Sequence, residues 1–267
     1  MSNHSTADVF SRAAPDFDRF GPKFFSLSGH RLVELANISE SSHVLDVACG
    51  RGSVLFPAAE KVSAHGQIFG VDLADGMIHH THTDLRNLNI QNISLSQMDA
   101  SQLAFASETF DCILCSHSII FFPQALSEFQ RVLKPGGKAT LSIIASGCFD
   151  WLTDIFIHYK PPDELGEENE TEQFTLDTPS GMESVLQEAG FTEIETYSET
   201  NDMIYPDEEI WWQMLWTLGF RSMLESMSIE TQILLKADLA QGLKDFKQSD
   251  GFHIPFETIY AMSVRPE

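Results

Sequence analysis

The chain has 267 residues, 43% of them hydrophobic, and a formal net charge of −23, a length and composition able to bury a substantial core. No apolar run approaches the roughly 20 residues that span a bilayer, and the N-terminus lacks a charged-then-apolar leader pattern, so the expected compartment is the cytoplasm. The charge is uneven, with 15 acids and 10 bases in residues 1–150 against 24 acids and 6 bases in 151–267; without a basic stripe, nucleic acid and anionic membranes are poor partners.

In chain order, a polar tail leads into "FGPKFFSLSGHRLVELANIS", a helical lead-in with an amphipathic stretch. From residue 43 strand-like runs alternate with helical patterns. "HVLDVA" precedes a helix over 54–62, "GQIFGVDLA" a helix over 75–89, and "NISLSQMDA" a loop and short helix. "TFDCILCSHS" precedes the helix "PQALSEFQRVL", and "KPGGK" (134–138) reads as a turn before a fifth strand, "GKATLSIIA". This rhythm predicts a parallel sheet covered by helices on both faces. Beyond residue 150 come an aromatic helix ("CFDWLTDIFIHY"), an acidic run at 161–173 that reads as a solvated loop, and a helix stopped by Gly190. A strand ("TEIETYSETNDMIY"), helical segments near 207–220 and 228–246, and a final strand ("FHIPFETIYAMSV") complete the chain. The organisation expected is a helical lead-in or lid (1–40), a ligand-binding core (41–150), and a C-terminal part (151–267) that finishes the sheet and carries an inserted aromatic cap.

The four cysteines, Cys49, Cys112, Cys115 and Cys148, do not make a secreted disulfide framework at this length. "CILC" lies in a buried-strand pattern, where positions i and i+3 face opposite sides, so these are expected to be packed core thiols.

The turn "DVACGRG" (46–52) joins a buried strand to a helix, the arrangement that brings backbone amides to a nucleotide. It does not complete the G-x-G-x-x-G pattern of dinucleotide binding, because Leu55 occupies the next required position. A carboxylate at Asp46 would repel a pyrophosphate and attract a sulfonium or ammonium, which disfavours an NAD-dependent dehydrogenase. The turn therefore suits an adenosine ligand with positive charge and no phosphate, a description that S-adenosylmethionine meets. Asp72 ends the second strand at the spacing from which an acid reaches ribose hydroxyls. Asp99 ends the third, where it could accept from an adenine amino group, and Ser116 and His117 end the fourth. In a parallel sheet these carboxyl ends hold the ligand.

"VLDVACGRG" (44–52), "IFGVDLADGM" (68–77), "QMDA" (97–100), "TFDCILCSHSIIFF" (109–122) and "LSEFQRVLKPGGKATL" (126–141) resemble class I S-adenosylmethionine-dependent methyltransferases. Nearest in pattern is the branch of ubiquinone and menaquinone C-methyltransferases and small-molecule natural-product methyltransferases. The resemblance implies an α/β, Rossmann-like sheet of seven strands, the last antiparallel, with a helical cap. It also implies cofactor contacts at Asp46, Ala48, Gly50, Gly52, Asp72, Leu73, Met77, Met98, Asp99, Ala100 and Ser116. Two departures stand out. Ala48 replaces the family's usual glycine, which is tolerable if its φ is negative, and "FD" at 17–18 replaces a common Tyr-Asp.

A general base is needed only if the acceptor must lose a proton. His117 is the preferred candidate, ahead of a structural role and of His158 and His253. Arg31 is a candidate partner for the cofactor's carboxylate, although a surface arginine is the plainer reading. "HHTH" (79–82) reads as a solvated helix face, and no metal is expected. The Asn/Asp-Pro-Pro-Tyr/Phe motif of nucleobase methyltransferases, catechol-type metal ligands and a radical iron–sulfur motif are all absent. All four tryptophans lie in the C-terminal part, so Trp151 and Trp212, with Phe121 and the lead-in Phe20, Phe24 and Phe25, are candidates to wall an apolar or aromatic acceptor site. The expected activity is methyl transfer to O, N or C of a small apolar or aromatic metabolite. A quinone-precursor C-methyltransferase and a non-catalytic cofactor-binding module are the alternatives.

Overall fold

The computed structural model describes residues 6–63, 65–159 and 176–267; the acidic run at 161–173 lies outside the described residues. Seven strands form one sheet in the order β3-β2-β1-β4-β5-β7-β6. β1 (His43–Val47), β2 (Gln67–Asp72), β3 (Ile93–Gln97), β4 (Phe110–Ser116) and β5 (Leu133–Ile144) are parallel. β7 (Phe252–Val264) runs antiparallel between β5 and β6 (Thr192–Tyr205). The strand order reverses at β1, whose neighbours are β2 and β4, and such a reversal opens a crevice above the carboxyl ends.

Helices cover both faces, because the central strands are apolar on both. On one face Leu45, Val47, Ile113, Cys115 and Leu141 pack with Phe129 of α5 (Leu126–Val132) and with Met182 and Leu186 of α7 (Pro179–Glu188). On the other, Val44, Ile68, Cys112 and Leu114 meet Leu32 and Val33 of α2 (Phe24–Ala36) and Leu55 and Ala58 of α3 (Leu55–Lys61). Cys112 and Cys115 thus belong to cores on opposite faces, and all four cysteines are free thiols. Each fully buried Leu, Ile or Val side chain contributes about 1.5–3 kcal/mol. A separate aromatic core, holding Phe156, Tyr205, Trp211, Leu235 and Phe252, unites α6 (Asp150–Ile157), α8 (Glu208–Leu215), α9 (Phe220–Ser226) and α10 (Ile229–Gly242) with the outer ends of β6 and β7. Among the described residues no helix is long and apolar enough to cross a membrane.

Three details differ from the sequence reading. "KPGGK" is part of β5 rather than a turn before it: Gly136 N–H donates to Arg265 O and Arg265 N–H to Gly137 O, while the register with β4 shifts between Phe110 and Cys112. No helix forms between β3 and β4. The helical segment near 207–220 is two helices, α8 and α9, broken over 216–219.

The lead-in is tied to the core by close backbone approach. Gly29 of α2 abuts the turn after β1 so tightly that a Cβ there would lie 2.3 Å from the Ser53 carbonyl oxygen. Gly29→Ala must therefore push α2 from that turn, at an expected cost of about 1–3 kcal/mol. Thermal unfolding should show this as a lower midpoint, whereas Leu27→Ala at an exposed α2 position leaves it nearly unchanged.

Candidate active site

The turn after β1 is built from left-handed residues: φ is 56° at Ala48, 51° at Gly50 and 85° at Gly52. The negative φ under which alanine would be tolerable at 48 is not what the turn has, and the alanine carries a strain of about 1–2 kcal/mol that glycine would not. The two glycines have different tasks. At Gly50 a Cβ would meet nothing within 4 Å, so its open side faces the cavity. At Gly52 a Cβ would lie 2.4 Å from the Phe56 ring. Gly52 therefore serves packing behind the turn and, unlike its predicted role, does not line the cavity.

Asp72 braces this turn against the next one, accepting from Gly50 N–H (2.8 Å) and Ala74 N–H (2.8 Å). Thr81 of α4 (Asp75–Leu88) donates to Gly50 O at 2.8 Å. Arg51 donates to Ala14 O and pairs with Asp84 at 2.6 Å, fastening the segment that follows α1 (Thr6–Ala13). α1 is held further by Ser11 Oγ to Asp75 (2.7 Å) and by Arg12 to Glu225 of α9 (2.5 Å).

A cavity of about 850 Å³ lies above the strand ends. Of the predicted cofactor residues, Asp46, Ala48, Gly50, Asp72, Leu73, Met77, Met98, Asp99, Ala100 and Ser116 all line it. Asp99 also accepts from Ser101 N–H at 2.8 Å, so it caps its loop as well. Arg31 is elsewhere, paired with Glu199 and Glu34. His253 pairs with Asp202 and Asp250, and His158 with the Asp154 carbonyl; neither lines the cavity.

The aromatic wall is partly different from the predicted one. Phe121 and Phe25 line the cavity, but Phe20, Phe24, Trp151 and Trp212 do not. Phe20 and Phe24 border a smaller adjoining pocket. Trp151 packs on Trp211 and Phe246, and Trp212 on Trp216, because these rings hold the cap's own core together. The wall instead uses Phe10 and Phe17 of the lead-in, and Phe149, Leu218, Phe220 and Met223 of the cap. Successive ring contacts run from Phe121 through Phe10, Phe17 and Phe25 to His117, at 6.1, 6.3, 4.8 and 5.6 Å. Asp18 supports this wall by accepting from Phe25 N–H (3.3 Å) and Ser26 N–H (3.0 Å) at the start of α2. A helix needs such acceptors for its first amides, yet nothing in the one-dimensional pattern joins Phe10 or Phe220 to the strand ends.

The electrostatics are lopsided. Asp46 is buried, its Oδ2 has no hydrogen-bond partner, and burial together with nearby Asp72 holds its pKa well above the ordinary carboxylate value. Burial also raises Asp72, an effect its backbone amides oppose. Among the described residues lining the cavity there is no Lys or Arg. His117, just after β4, is half-buried with φ 54°, and desolvation of its ring lowers its pKa to about 3. Its Nε2 lies 2.8 Å from Ser28 Oγ, and its Nδ1 has no partner.

A methyltransferase-domain family matches residues 44–137. The chain is 38% identical over 153 residues to aklanonic acid methyltransferase DauC of Streptomyces sp. (strain C5), covering 55% of this chain and 70% of that one. It is 26% identical over 250 residues to nocamycin O-methyltransferase of Saccharothrix syringae, covering 88% and 89%. Its fold is similar to that of YcgJ from Bacillus subtilis, with a TM-score of 0.61 at 18% identity over 90% of this chain and 99% of that one. The family match and these relatives, together with the strand order, define the class. This chain belongs to the S-adenosylmethionine-dependent methyltransferases and is an enzyme of that class.

The residues present suit that cofactor. The orphaned Asp46 Oδ2 awaits a cationic or hydrogen-donating partner, the bare face of Gly50 admits close approach, and Asp72 keeps lone pairs for hydroxyls.

Asp46 links this binding to pH. Its folded-state pKa is raised, so in the empty protein its contribution to stability is fully present below its unfolded value and is lost as pH rises through its folded one. A cationic ligand favours the ionised form, so affinity for S-adenosylmethionine should rise with pH across the same window, with proton release on binding. Asp46→Asn should raise the melting midpoint more at pH 8 than at pH 4, and weaken S-adenosylmethionine about 10- to 100-fold, as loss of a charged hydrogen-bond partner does. Calorimetry in buffers of different ionisation enthalpy measures both the affinity and the released proton.

Proposed function

We propose that this methyltransferase alkylates a hydroxyl oxygen on a small, flat, largely apolar metabolite. The observation that carries this reading is the continuous aromatic wall from Phe121 to His117, closed by Phe149 and Phe220 from the cap. Ring-lined cavities favour flat apolar ligands, which offset or edge contacts hold in place. At about 850 Å³ the cavity is near the upper end of the range for a single drug-sized ligand, which leaves room for an acceptor beside the cofactor. The name of one relative, a nocamycin O-methyltransferase, supports an oxygen acceptor, and both relatives are named for small-molecule substrates.

Each part of the chain has a task in this reading. Residues 41–150 bind the cofactor, through Asp46, Ala48, Gly50, Asp72, Leu73, Met77, Met98, Asp99, Ala100 and Ser116. When bound, S-adenosylmethionine supplies an electrophilic methyl group on a sulfonium. Residues 1–40 act as a lid, with Phe10, Phe17 and Phe25 turned to the cavity, and residues 151–267 complete the sheet and give the opposite wall. Together they exclude water and hold the acceptor oxygen in line for attack, which supplies much of the rate in such a displacement.

His117 is the residue that meets the acceptor's proton. A ring with a pKa of about 3 is neutral at working pH and does not strip a hydroxyl beforehand. It accepts the proton as the new bond forms, when the oxygen becomes far more acidic than imidazolium. No metal enters this reading, and the partner is a small molecule.

Formation of S-adenosylhomocysteine should be detected with polycyclic phenols or hydroxyquinones, and not with peptides or nucleosides; turnover confined to the latter would refute the reading. The cap face at Gly219, where a Cβ would meet nothing within 4 Å, opens the acceptor space. Gly219→Trp should raise KM for the larger ring acceptors about tenfold or more and leave S-adenosylmethionine affinity within twofold, by calorimetry.

A further inference from the structure

Gly50 has the most conformational freedom of any residue in the turn after β1 that lines the cavity, and its bare side opens into that cavity. Glycine takes positive φ about as readily as negative, so nothing in its own chemistry holds it at 51°. Its backbone groups are held from outside the turn. The N–H donates to Asp72 at 2.8 Å, and the carbonyl oxygen accepts from the Thr81 hydroxyl at 2.8 Å. Among the described residues no backbone donor or acceptor bonds either group. Thr81 is fully buried in α4 and does not itself line the cavity. A threonine inside a helix often turns its hydroxyl back to the carbonyl four residues earlier, and Thr83 does so, donating to His79 O at 3.1 Å. Thr81, on the same helix, reaches out of α4 to the turn instead. Its face of α4 also carries Met77, which lines the cavity, and Asp84, which pairs with Arg51 of the turn at 2.6 Å. Residues spaced by three or four positions are neighbours on one helical face.

We infer that Thr81 is a positioning residue for the methyl donor: it holds the Gly50 carbonyl while Asp72 holds the N–H, and so fixes the glycine with its bare side toward the cavity before the donor arrives. The inference rests on the assignment of the donor to the crevice at the strand ends, and it needs nothing of the acceptor. A turn fixed in advance spares binding the cost of ordering it. The hold matters in this chain because Ala48 stands strained at φ 56° in the same turn. Relaxation of that strain would draw the turn away from its present arrangement if Gly50 gave way. Without the Thr81 hydroxyl, the peptide after Gly50 gains freedom to rotate, and the donor binds only the fraction of molecules whose turn leaves room for it. Apparent affinity falls by that fraction. Once the donor is bound, the turn is back in its wild-type arrangement, so the transfer itself is unchanged. Thr81 acts on donor capture and not on the chemical step.

Calorimetric titration with S-adenosylmethionine and S-adenosylhomocysteine tests this on variants shown by thermal unfolding to be folded. Thr81→Val keeps the branching and size of the side chain and removes the hydroxyl. It should weaken both ligands about five- to twentyfold, as loss of one buried hydrogen bond does. With a polycyclic phenol as acceptor, it should raise KM for S-adenosylmethionine by a similar factor and leave kcat at saturating donor within about twofold. Thr81→Ser, which keeps the hydroxyl, should bind both ligands within about twofold of wild type. Thr83→Val, which removes a hydroxyl bonded only within α4, should do the same. A folded Thr81→Val protein with wild-type affinity, or with kcat lowered in place of affinity, would overturn the inference. So would a Thr81→Ser protein weakened as much as the valine variant, because packing rather than the hydroxyl would then be at work. If Thr81→Val does not fold, Thr81→Cys, a far weaker donor, takes its place under the same two outcomes. A wild-type protein that bound neither ligand would overturn the donor site itself and the inference with it. Absence of turnover with the phenol would count against the proposed acceptor, and the titrations would still decide the role of Thr81.

Discussion

A carboxylate buried near the end of an apolar strand is the constraint on which this structure turns. Asp46 sits in β1 between Gly70 of β2 and Leu114 of β4. It is sealed from water with one oxygen unpartnered and with Asp72 as its electrostatic neighbour. Burying such a group costs stability unless something pairs with it. The sheet bears that cost because the apolar residues on both sides of β1 are fully buried. The strand-order reversal at β1 opens the crevice that Asp46 helps to line. Binding and stability are consequently opposed at this position, as is common where a site is prepared for its ligand.

The turn that follows shows how the surroundings are shaped around that carboxylate. Left-handed residues at 48, 50 and 52 fold the chain back sharply, and Asp72 ties the turn to the end of β2. Asp72 both caps backbone amides and lines the cavity, so its structural and functional readings are not rivals. Asp99 combines the two in the same way at the end of β3.

The other half of the cavity is an assembly of distant segments. Arg12 and Glu225 are 213 residues apart in sequence, yet their ion pair joins the lead-in to the cap. Arg51, within the turn after β1, reaches both Ala14 and Asp84. The same turn therefore borders the cavity and fastens the segment that follows α1. Glu225 is shared between Arg12 and Arg221, and these hydrogen bonds hold its pKa below the usual value. The acidic surplus of the C-terminal half thus includes at least one carboxylate with a structural task.

Much of the donor side was legible in the sequence, and little of the acceptor side. Period-two and period-3.6 patterns are local, so the strands were readable, and β7 coincides with the final strand-like run at Phe252–Val264. Asp46, Gly50, Asp72 and Asp99 lie at or just beyond the carboxyl ends of strands, and a parallel sheet brings strand ends together whatever the details of packing. The "KPGGK" segment was misread because Pro-Gly-Gly signals a turn locally, whereas its partner Arg265 lies at the far end of the chain. The condition set for Ala48, a negative φ, is not met because the positive φ comes from the turn's geometry and not from the residue. The tryptophans were misplaced because composition cannot tell an aromatic that fills a cap core from one that lines a cavity. Phe10, Phe17, Phe220 and Met223 reached the wall through packing between segments at opposite ends of the chain. The bond from Ser28 to His117 spans 89 residues and depends on how α2 leans on β4. The sequence determined the fold and the methyl donor, since both are written in local order along the strands. Only the tertiary structure decided which rings meet the acceptor and which histidine nitrogen is bare, because those follow from distances between segments that no local pattern encodes.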